Sequence, residues 1–317
     1  MTATVNVNGE IVDGSRATIS IFDHGFLYGE GIYETLRTYT GLPFLFDRHL
    51  RRLRTSAAML RLPIPLADDE IALRIAQTIR AAGLSEGVGR EAYVRLLVTR
   101  GTGELSYDPA ACPQPSVIVI VRPHVDLPDR IYTEGVTVAL VSIVRNHPAS
   151  VNPMIKSNNL LNCALAMQEA LRQGAFEGLM RNYRGELAEL STANLFVVKQ
   201  GVALTPALDV GLLAGITREY LFDIGPSIGV PVREAVLRDD DLLGAEEAFL
   251  TSTVREVVPI VTIDRQPIGS GRPGPVTHAL LAEYRRRAHA GSVRRDARGV
   301  DEDTASLLGR PPLERRT

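Results

Sequence analysis

Apolar and polar residues alternate at the start of the chain. Val5 and Val7 flank Asn6, Asn8-Gly9 interrupts the pattern, and Ile11 and Val12 resume it. Period-two alternation around Asn-Gly predicts a hairpin with a type I′ turn. A second hairpin is predicted from residues 32–39 to 43–46 around Thr40-Gly41. The period then changes: Leu50, Leu53, Ala57 and Leu60 recur at helical spacing after Asp47, a candidate N-cap, and Ile71, Ile75 and Ile79 do so after Asp68 or Asp69. Two strands, 92–99 and 116–121, follow. Strands arriving as hairpins predict a small, mostly antiparallel α+β domain over residues 1–122.

Residues 123–135 contain Pro123, Pro128 and several charges without periodicity, which marks an interdomain linker. A second, larger domain is expected over 136–290. It opens with a strand at 136–144, passes through a polar loop to Lys156, and continues with a helix at about 160–173. Strands at 195–198 and 202–205, a helix after Gly215, a strand at 248–251 and a helix at 276–287 complete the pattern. The charged segment 291–317, punctuated by Gly and Pro, is expected to be a mobile tail.

The composition of the 317 residues, 45% hydrophobic and 23% charged, is that of a folded globular chain and rules out disorder as its main state. Lys and Arg total 35 and Asp and Glu 37, so the net charge of −2 advertises neither a nucleic-acid nor a membrane partner, and small metabolites are the expected ligands. Cys112 and Cys163 are far apart in sequence. With scattered histidines they form no metal-ligand spacing, so no metal is expected, and a reducing, cytoplasmic setting fits. The polar stretch after Met1 lacks the charge and apolar run of a leader, and no apolar run approaches the ~20 residues of a membrane span.

One bias sharpens the search for chemistry. Of the 35 basic residues 33 are arginines, so any reaction needing a primary amine has two candidates, Lys156 and Lys199. Lys156 lies between apolar residues where a polar loop meets a helix, and desolvation there favours the neutral, nucleophilic amine. A solvated lysine at a helix start is the alternative. Lys199 sits in Lys199-Gln200-Gly201, a hairpin turn where an exposed cation is expected.

Glu189 precedes the apolar strand at 195–198, where a carboxylate turned inward can pair with a ring nitrogen; the alternative is a turn acid, the reading given to Glu186. Gly215-Ile216-Thr217 opens a helix whose first amides can bind an anion, and Thr251-Ser252-Thr253 can complete a phosphate cradle. Arg52 borders the Leu50 and Leu53 stripe and can reach inward toward a phosphate, although a solvated basic face is an equal reading.

Taken in order, these pieces form a recognisable set. It comprises Phe26-Leu27-Tyr28-Gly29-Glu30-Gly31-Ile32-Tyr33-Glu34, the Arg52 helix, Arg100-Gly101-Thr102-Gly103, Lys156-Ser157-Asn158-Asn159-Leu160, Glu189 followed by Asn194-Leu195-Phe196, Gly215-Ile216-Thr217-Arg218, and Thr251-Ser252-Thr253-Val254-Arg255-Glu256-Val257. Over residues 3 to about 288 this resembles the class IV aminotransferases, the fold-type IV pyridoxal-phosphate enzymes, and is most similar to their branched-chain amino acid members.

The resemblance implies a two-domain α+β architecture, with a small antiparallel domain and a larger mixed, β-barrel-like domain with helices. It also implies pyridoxal 5'-phosphate as cofactor and a homodimer. In that family Lys156 would hold the aldimine and shuttle the proton between substrate Cα and cofactor C4′. Glu189 would pair with the pyridine nitrogen, and Arg52, the amides of Ile216 and Thr217, and Thr253 would bind the phosphate. Tyr28, Tyr33, Arg37, Tyr93, Arg95 and Val254 would face the substrate.

Two departures stand out: Glu189-Leu190-Ser191 where the family commonly has Glu-Gly-Ser or Glu-Gly-Thr, and Thr35 where branched-chain enzymes favour glycine. Glu104-Leu105-Ser106-Tyr107-Asp108 offers no cation where the best-known D-amino-acid enzymes carry Arg-x-His. The implied reaction moves an amino group from an L-branched-chain or broad aliphatic amino acid to 2-oxoglutarate. An (R)-amine or atypical D-amino-acid transaminase is the alternative, followed by an aminodeoxychorismate lyase. A protein that only binds, keeping the fold with Lys156 and Glu189 idle, is the remaining reading. The loop 102–113 is long for a hairpin and carries apolar Leu105 and Tyr107, which a neighbouring subunit can cover.

Overall fold

Asn8 (φ 54°) and Gly9 (φ 105°) adopt the two left-handed conformations of the turn between β1 (Thr4–Val7) and β2 (Glu10–Asp13) in the computed structural model, which describes residues 3–84 and 90–297. After α1 (His24–Leu27) the second hairpin joins β3 (Gly31–Tyr39) to a short β4 (Leu42–Pro43) through Thr40 (φ 50°) and Gly41 (φ 83°). Helices α2 (Phe46–Leu60) and α3 (Asp68–Ala81) precede β5 (Ala92–Thr99) and β6 (Ser116–Pro123). The strands form one antiparallel sheet in the order β2-β1-β6-β5-β3-β4.

One face of this sheet is built by alternation. Ile32, Leu36, Val94, Leu96, Val98, Val117, Val119 and Val121 are buried, as are Leu50, Leu53 and Ala57 of α2 and Ile71, Ile75 and Ile79 of α3, the helices packed on the sheet. Neither helix begins where an aspartate cap was expected. The N-cap of α2 is Leu45, left-handed at φ 53°, and Asp47 lies within the first turn. Ala67 caps α3, with Glu70 accepting the Ala67 N–H at 2.8 Å. The aspartates still act, since negative charge in a first turn favours the helix dipole.

Following α4 (Arg130–Thr133) come β7 (Val136–Leu140), α5 (Leu161–Arg172), β8 (Glu177–Arg181), β9 (Leu187–Leu190), β10 (Asn194–Lys199) and β11 (Val202–Pro206). Then follow α6 (Ile216–Ile224), β12 (Val232–Ala235), α7 (Asp239–Leu243), β13 (Glu247–Ser252), β14 (Glu256–Ile263), β15 (Gln266–Pro267) and α8 (Pro275–Ala297). Six strands run β10-β13-β14-β7-β8-β9, and β9 returns to β10 at the single pair Glu189 and Asn194, which closes a barrel. Both β14 and β8 pair with β7 in parallel, while β13 with β14, β8 with β9 and β10 with its neighbours are antiparallel, so the barrel is mixed.

The chain divides into two units. One takes residues up to Val125, the short segment Lys156–Asn159 and the end from Arg287; the other takes Asp126–Ile155 and Leu160–Arg286. Of the expected linker 123–135, Pro123 ends β6 and Arg130–Thr133 forms α4. The strand expected over 136–144 stops at Leu140, because Glu169 of α5 accepts both the Ser142 N–H and the Ser142 hydroxyl at 2.7 Å and removes that amide from the ladder. Of the expected tail 291–317, residues 291–297 continue α8 and 298–317 lie outside the described residues. Among the described residues no helix is long and apolar enough to cross a membrane.

Candidate active site

In the first unit the segment carrying Lys156 lies against the free edge of β3. Tyr33 N–H donates to Lys156 O at 2.9 Å, Asn158 N–H donates to Gly31 O at 2.8 Å, and Ile32 and Ser157 form an antiparallel bridge. A side chain at Gly31 would fall 2.6 Å from Asn158 Nδ2 and 2.9 Å from Val98 O, so glycine is what lets the segment come this close. Lys156 N–H donates to Ser56 Oγ on α2 at 3.1 Å, and its Nζ lies 4.4 Å from the centre of the Tyr33 ring. In the second unit Lys199 is tied up: its Nζ meets Asp241 Oδ1 at 2.6 Å. Of the two lysines, Lys156 sits among groups suited to chemistry.

Arg95 packs over the same Tyr33 ring, its guanidinium carbon 4.1 Å from the ring centre. Strand alternation places Tyr33, Thr35 and Arg37 on one face of β3, and register places Arg95 opposite Thr35 and Tyr93 opposite Arg37. Thus four of the expected substrate residues, Tyr33, Arg37, Tyr93 and Arg95, share one sheet face with Thr35. Tyr28, from the turn after α1, lies edge-on to His24 at 4.9 Å and against Tyr107 of the 102–113 loop at 5.0 Å.

The opposite face of β3 holds a buried charge cluster that sequence spacing did not reveal. Arg52 Nε and Nη2 donate to the two oxygens of Glu34 at 2.8 and 2.7 Å, and His49 Nδ1 lies 2.7 Å from Glu34 Oε2. Burial works to raise the Glu34 carboxyl, but the Arg52 charge and the bonds from Arg52 and His49 outweigh it and bring it down to about 2. Burial also keeps His49 below its usual range. An ionised Glu34 requires the proton on His49 Nδ1, which makes Nδ1 the donor. The available signal was Glu34 itself, an acid on the buried face between Ile32 and Leu36, with His49 and Arg52 one helical turn apart.

In the second unit Glu189 was expected in a loop leading into a strand, but it lies within β9 and is buried at 5% exposure. Its Oε1 accepts from Arg145 Nε at 2.8 Å and from the Leu213 N–H at 3.2 Å; its Oε2 accepts from Asn194 Nδ2 at 3.3 Å. Arg145 Nη1 in turn donates to Asn162 Oδ1 at 3.1 Å. The inward-facing carboxylate therefore sits where the barrel closes. Nothing periodic or motif-like marked Arg145.

Helix α6 starts after Gly215, and no side chain caps its first turn, so the buried Ile216 and Thr217 amides face outward at the positive end of a nine-residue helix. A Cβ at Gly215 would collide with Asn194 Oδ1, so the turn depends on glycine. Thr253 and Val254 form the half-buried turn between β13 and β14. Arg255 anchors that turn, with Nε to Ser252 Oγ at 3.1 Å, Nη1 to the buried Glu177 at 2.7 Å and Nη2 to Thr192 Oγ1 at 2.7 Å. Next to it, Thr251 Oγ1 is buried without a hydrogen-bond partner. Within the second unit an uncapped helix start, an unpartnered buried hydroxyl and a buried carboxylate suit a phosphorylated pyridine, and within the first the Lys156 amine lies beside an aromatic ring and suits an aldehyde.

Comparison with known proteins agrees. Residues 31–263 match the family described as amino-transferase class IV. A putative branched-chain-amino-acid aminotransferase of Methanocaldococcus jannaschii is 36% identical over 281 residues, covering 89% of this chain and 95% of that protein. A D-alanine aminotransferase of Listeria monocytogenes is 35% identical over 283 residues, covering 88% and 94%. The solved structure of the Escherichia coli branched-chain amino acid aminotransferase superposes with a TM-score of 0.85 at 30% identity, covering 90% of this chain and 94% of that one. The two α+β units, the mixed barrel of the second and the shared sequence are those of fold-type IV, and the chain belongs to the class IV aminotransferases, enzymes that work with pyridoxal 5'-phosphate.

Proposed function

We propose that this aminotransferase moves the amino group of an L-branched-chain or broadly aliphatic amino acid to 2-oxoglutarate, with Lys156 as its catalytic residue. The observation that carries the reading is the Tyr33 ring, which has the Lys156 amine 4.4 Å and the Arg95 guanidinium 4.1 Å from its centre. An amine and a fixed cation sharing one ring suit a substrate that brings its carboxylate to the arginine and its reacting carbon to the lysine. Arg37 and Tyr93 on the same sheet face extend the polar wall, and apolar Leu97, opposite Tyr33, offers no charge to a substrate side chain. Tyr28 and the Val254 backbone amide, a donor for a carboxylate, are assigned to the substrate by the family resemblance.

The bound cofactor supplies an aldehyde carbon that takes up the amino group and a ring that withdraws electrons from the substrate Cα. Lys156 Nζ would hold the cofactor through that carbon and would take the proton from the substrate Cα and return it. Glu189 would pair with the pyridine nitrogen and favour its charged, protonated form. By the family resemblance Arg52, the Ile216 and Thr217 amides and the Thr253 hydroxyl are assigned to the phosphate.

The alternative, a D-amino-acid or (R)-amine transaminase, is favoured by the 35% identity to the D-alanine enzyme. The absence of a cation in Glu104-Leu105-Ser106-Tyr107-Asp108 speaks against a D-specific carboxylate trap of the best-known type. A panel of L-leucine, D-alanine and (R)-1-phenylethylamine against 2-oxoglutarate and pyruvate tests both readings. L-Leucine with 2-oxoglutarate should be fastest, and Lys156→Ala should abolish turnover where Lys199→Ala keeps it. D-Alanine or the amine leading the panel would overturn the proposed donor. An aminodeoxychorismate assay separates the lyase. A homodimer in the cytoplasm completes the proposal, supported by exposed Phe26 (66%), Leu105 (70%) and Tyr107 (87%) in the first unit. A monomeric mass in solution at full activity would contradict the dimer.

A further inference from the structure

The buried cluster on the inner face of β3 has a consequence for how the cofactor is held. Arg52 is not a lone cation on a flexible stem: two of its nitrogens bond to both oxygens of Glu34, and Glu34 is in turn fixed by His49. Glu34 is 1% exposed and sits mid-strand in β3, while His49 and Arg52 lie one turn apart on α2. Tyr33 and Glu34 are consecutive, so strand geometry sends them to opposite faces. Tyr33 N–H is bonded to Lys156 O, so two neighbouring residues of one rigid strand carry the contact to the reactive lysine and the anchor of the arginine.

We infer that Glu34 and His49 are positioning residues for the cofactor's phosphate, holding the Arg52 guanidinium in a fixed plane while β3 fixes its place relative to Lys156. The inference rests on the assignment of Arg52 to the phosphate. Its physical basis is preorganisation. A free arginine gives up rotamer freedom when immobilised, and a guanidinium already locked side-on by a carboxylate has lost that freedom before the ligand arrives. Glu34 cannot serve the phosphate itself, because an ionised carboxylate only accepts hydrogen bonds. Its effect on the phosphate runs through Arg52.

The test separates the phosphate from the rest of the cofactor. Full-length protein stripped of cofactor is titrated with pyridoxal 5'-phosphate and with pyridoxal, which has the same aldehyde and ring but no phosphate. Glu34→Gln should weaken pyridoxal 5'-phosphate binding roughly tenfold or more, ~1.4 kcal/mol, while changing pyridoxal binding by less than about twofold. Glu34→Asp keeps the charge but draws the carboxylate back by one methylene. It should show the same phosphate-specific loss and decides the matter if Glu34→Gln does not fold. A merely structural role would weaken both ligands alike, and that result overturns the inference. Arg52→Met serves as the control on the underlying assignment. If it lowers the preference for the phosphorylated ligand and neither Glu34 variant does, the positioning role alone is wrong. If Arg52→Met leaves the preference unchanged, the assignment of Arg52 to the phosphate fails and the inference falls with it.

Discussion

Each unit of this protein buries an arginine–glutamate pair, and the proposed function uses the two pairs in opposite senses. In the first, Glu34 holds Arg52 by both oxygens, Glu34 is more deeply buried than Arg52, and the cation is the group assigned to a ligand. In the second, Arg145 Nε donates to Glu189, which also receives Leu213 and Asn194 donors, and the carboxylate is the group proposed for a ligand. An ion pair taken out of water is weak as a source of stability, because desolvation offsets its attraction. It does fix orientation. In the proposed reading the same pair of residue types therefore offers its cation to a ligand in one place and its anion in the other.

The largest effect that breaks this contrast is expected at Glu189. Glutamine keeps the shape and loses the charge, so Glu189→Gln should retain cofactor yet slow the proton-transfer half-reaction roughly a hundredfold or more, at ~1.4 kcal/mol per factor of ten. Single-turnover absorbance changes read this directly. Glu186→Gln is the control. Its carboxylate serves Asn182, Arg184 and Arg238 at 2.8, 2.8 and 3.2 Å, the Arg184 bond being what chiefly holds it below the usual carboxylate range, and its half-reaction should match wild type. A slow Glu186→Gln beside a normal Glu189→Gln would shift the motif by three residues.

A smaller effect sharpens the other side. With Glu34 brought from 4.5 to about 2 on folding, the unfolded chain takes up the proton first as pH falls. The pair's stabilisation is complete above the unfolded value of 4.5 and is lost as pH falls through about 2, a change on the order of 3 kcal/mol. Melting temperatures across this window should fall more steeply for wild type than for Glu34→Gln. Parallel acid limbs would show that Glu34 is not ionised in the folded protein.

Much of the fold was legible because it is local. Alternation around Asn8-Gly9 and Thr40-Gly41 gave both hairpins of the first unit, and helical spacing gave α2 and α3. The barrel was harder. In β9 all four residues of Leu187–Leu190 are buried, so no period-two contrast marks a strand, and Glu189 reads as a loop acid. The same applies to β14, whose first five residues are all buried and include Pro259. Lys156 stood out as a candidate for a different reason: with two lysines in the chain, and Lys199 in a turn, few placements of an amine were possible.

The sequence by itself determined the order of motifs, and with it the family and the cofactor, because those depend on which residues occur and how they are spaced. Only the tertiary structure decided the partners of the buried charges. Arg52 and Glu34 are 18 residues apart and Arg145 and Glu189 are 44 apart, distances over which no helical or strand period operates. An arginine on a helix face reads as solvated until a buried carboxylate is brought against it. What selects the pair is the removal of water from both groups, which makes an unpaired charge untenable, and that removal happens only when β3 packs on α2 or when the barrel closes at Glu189.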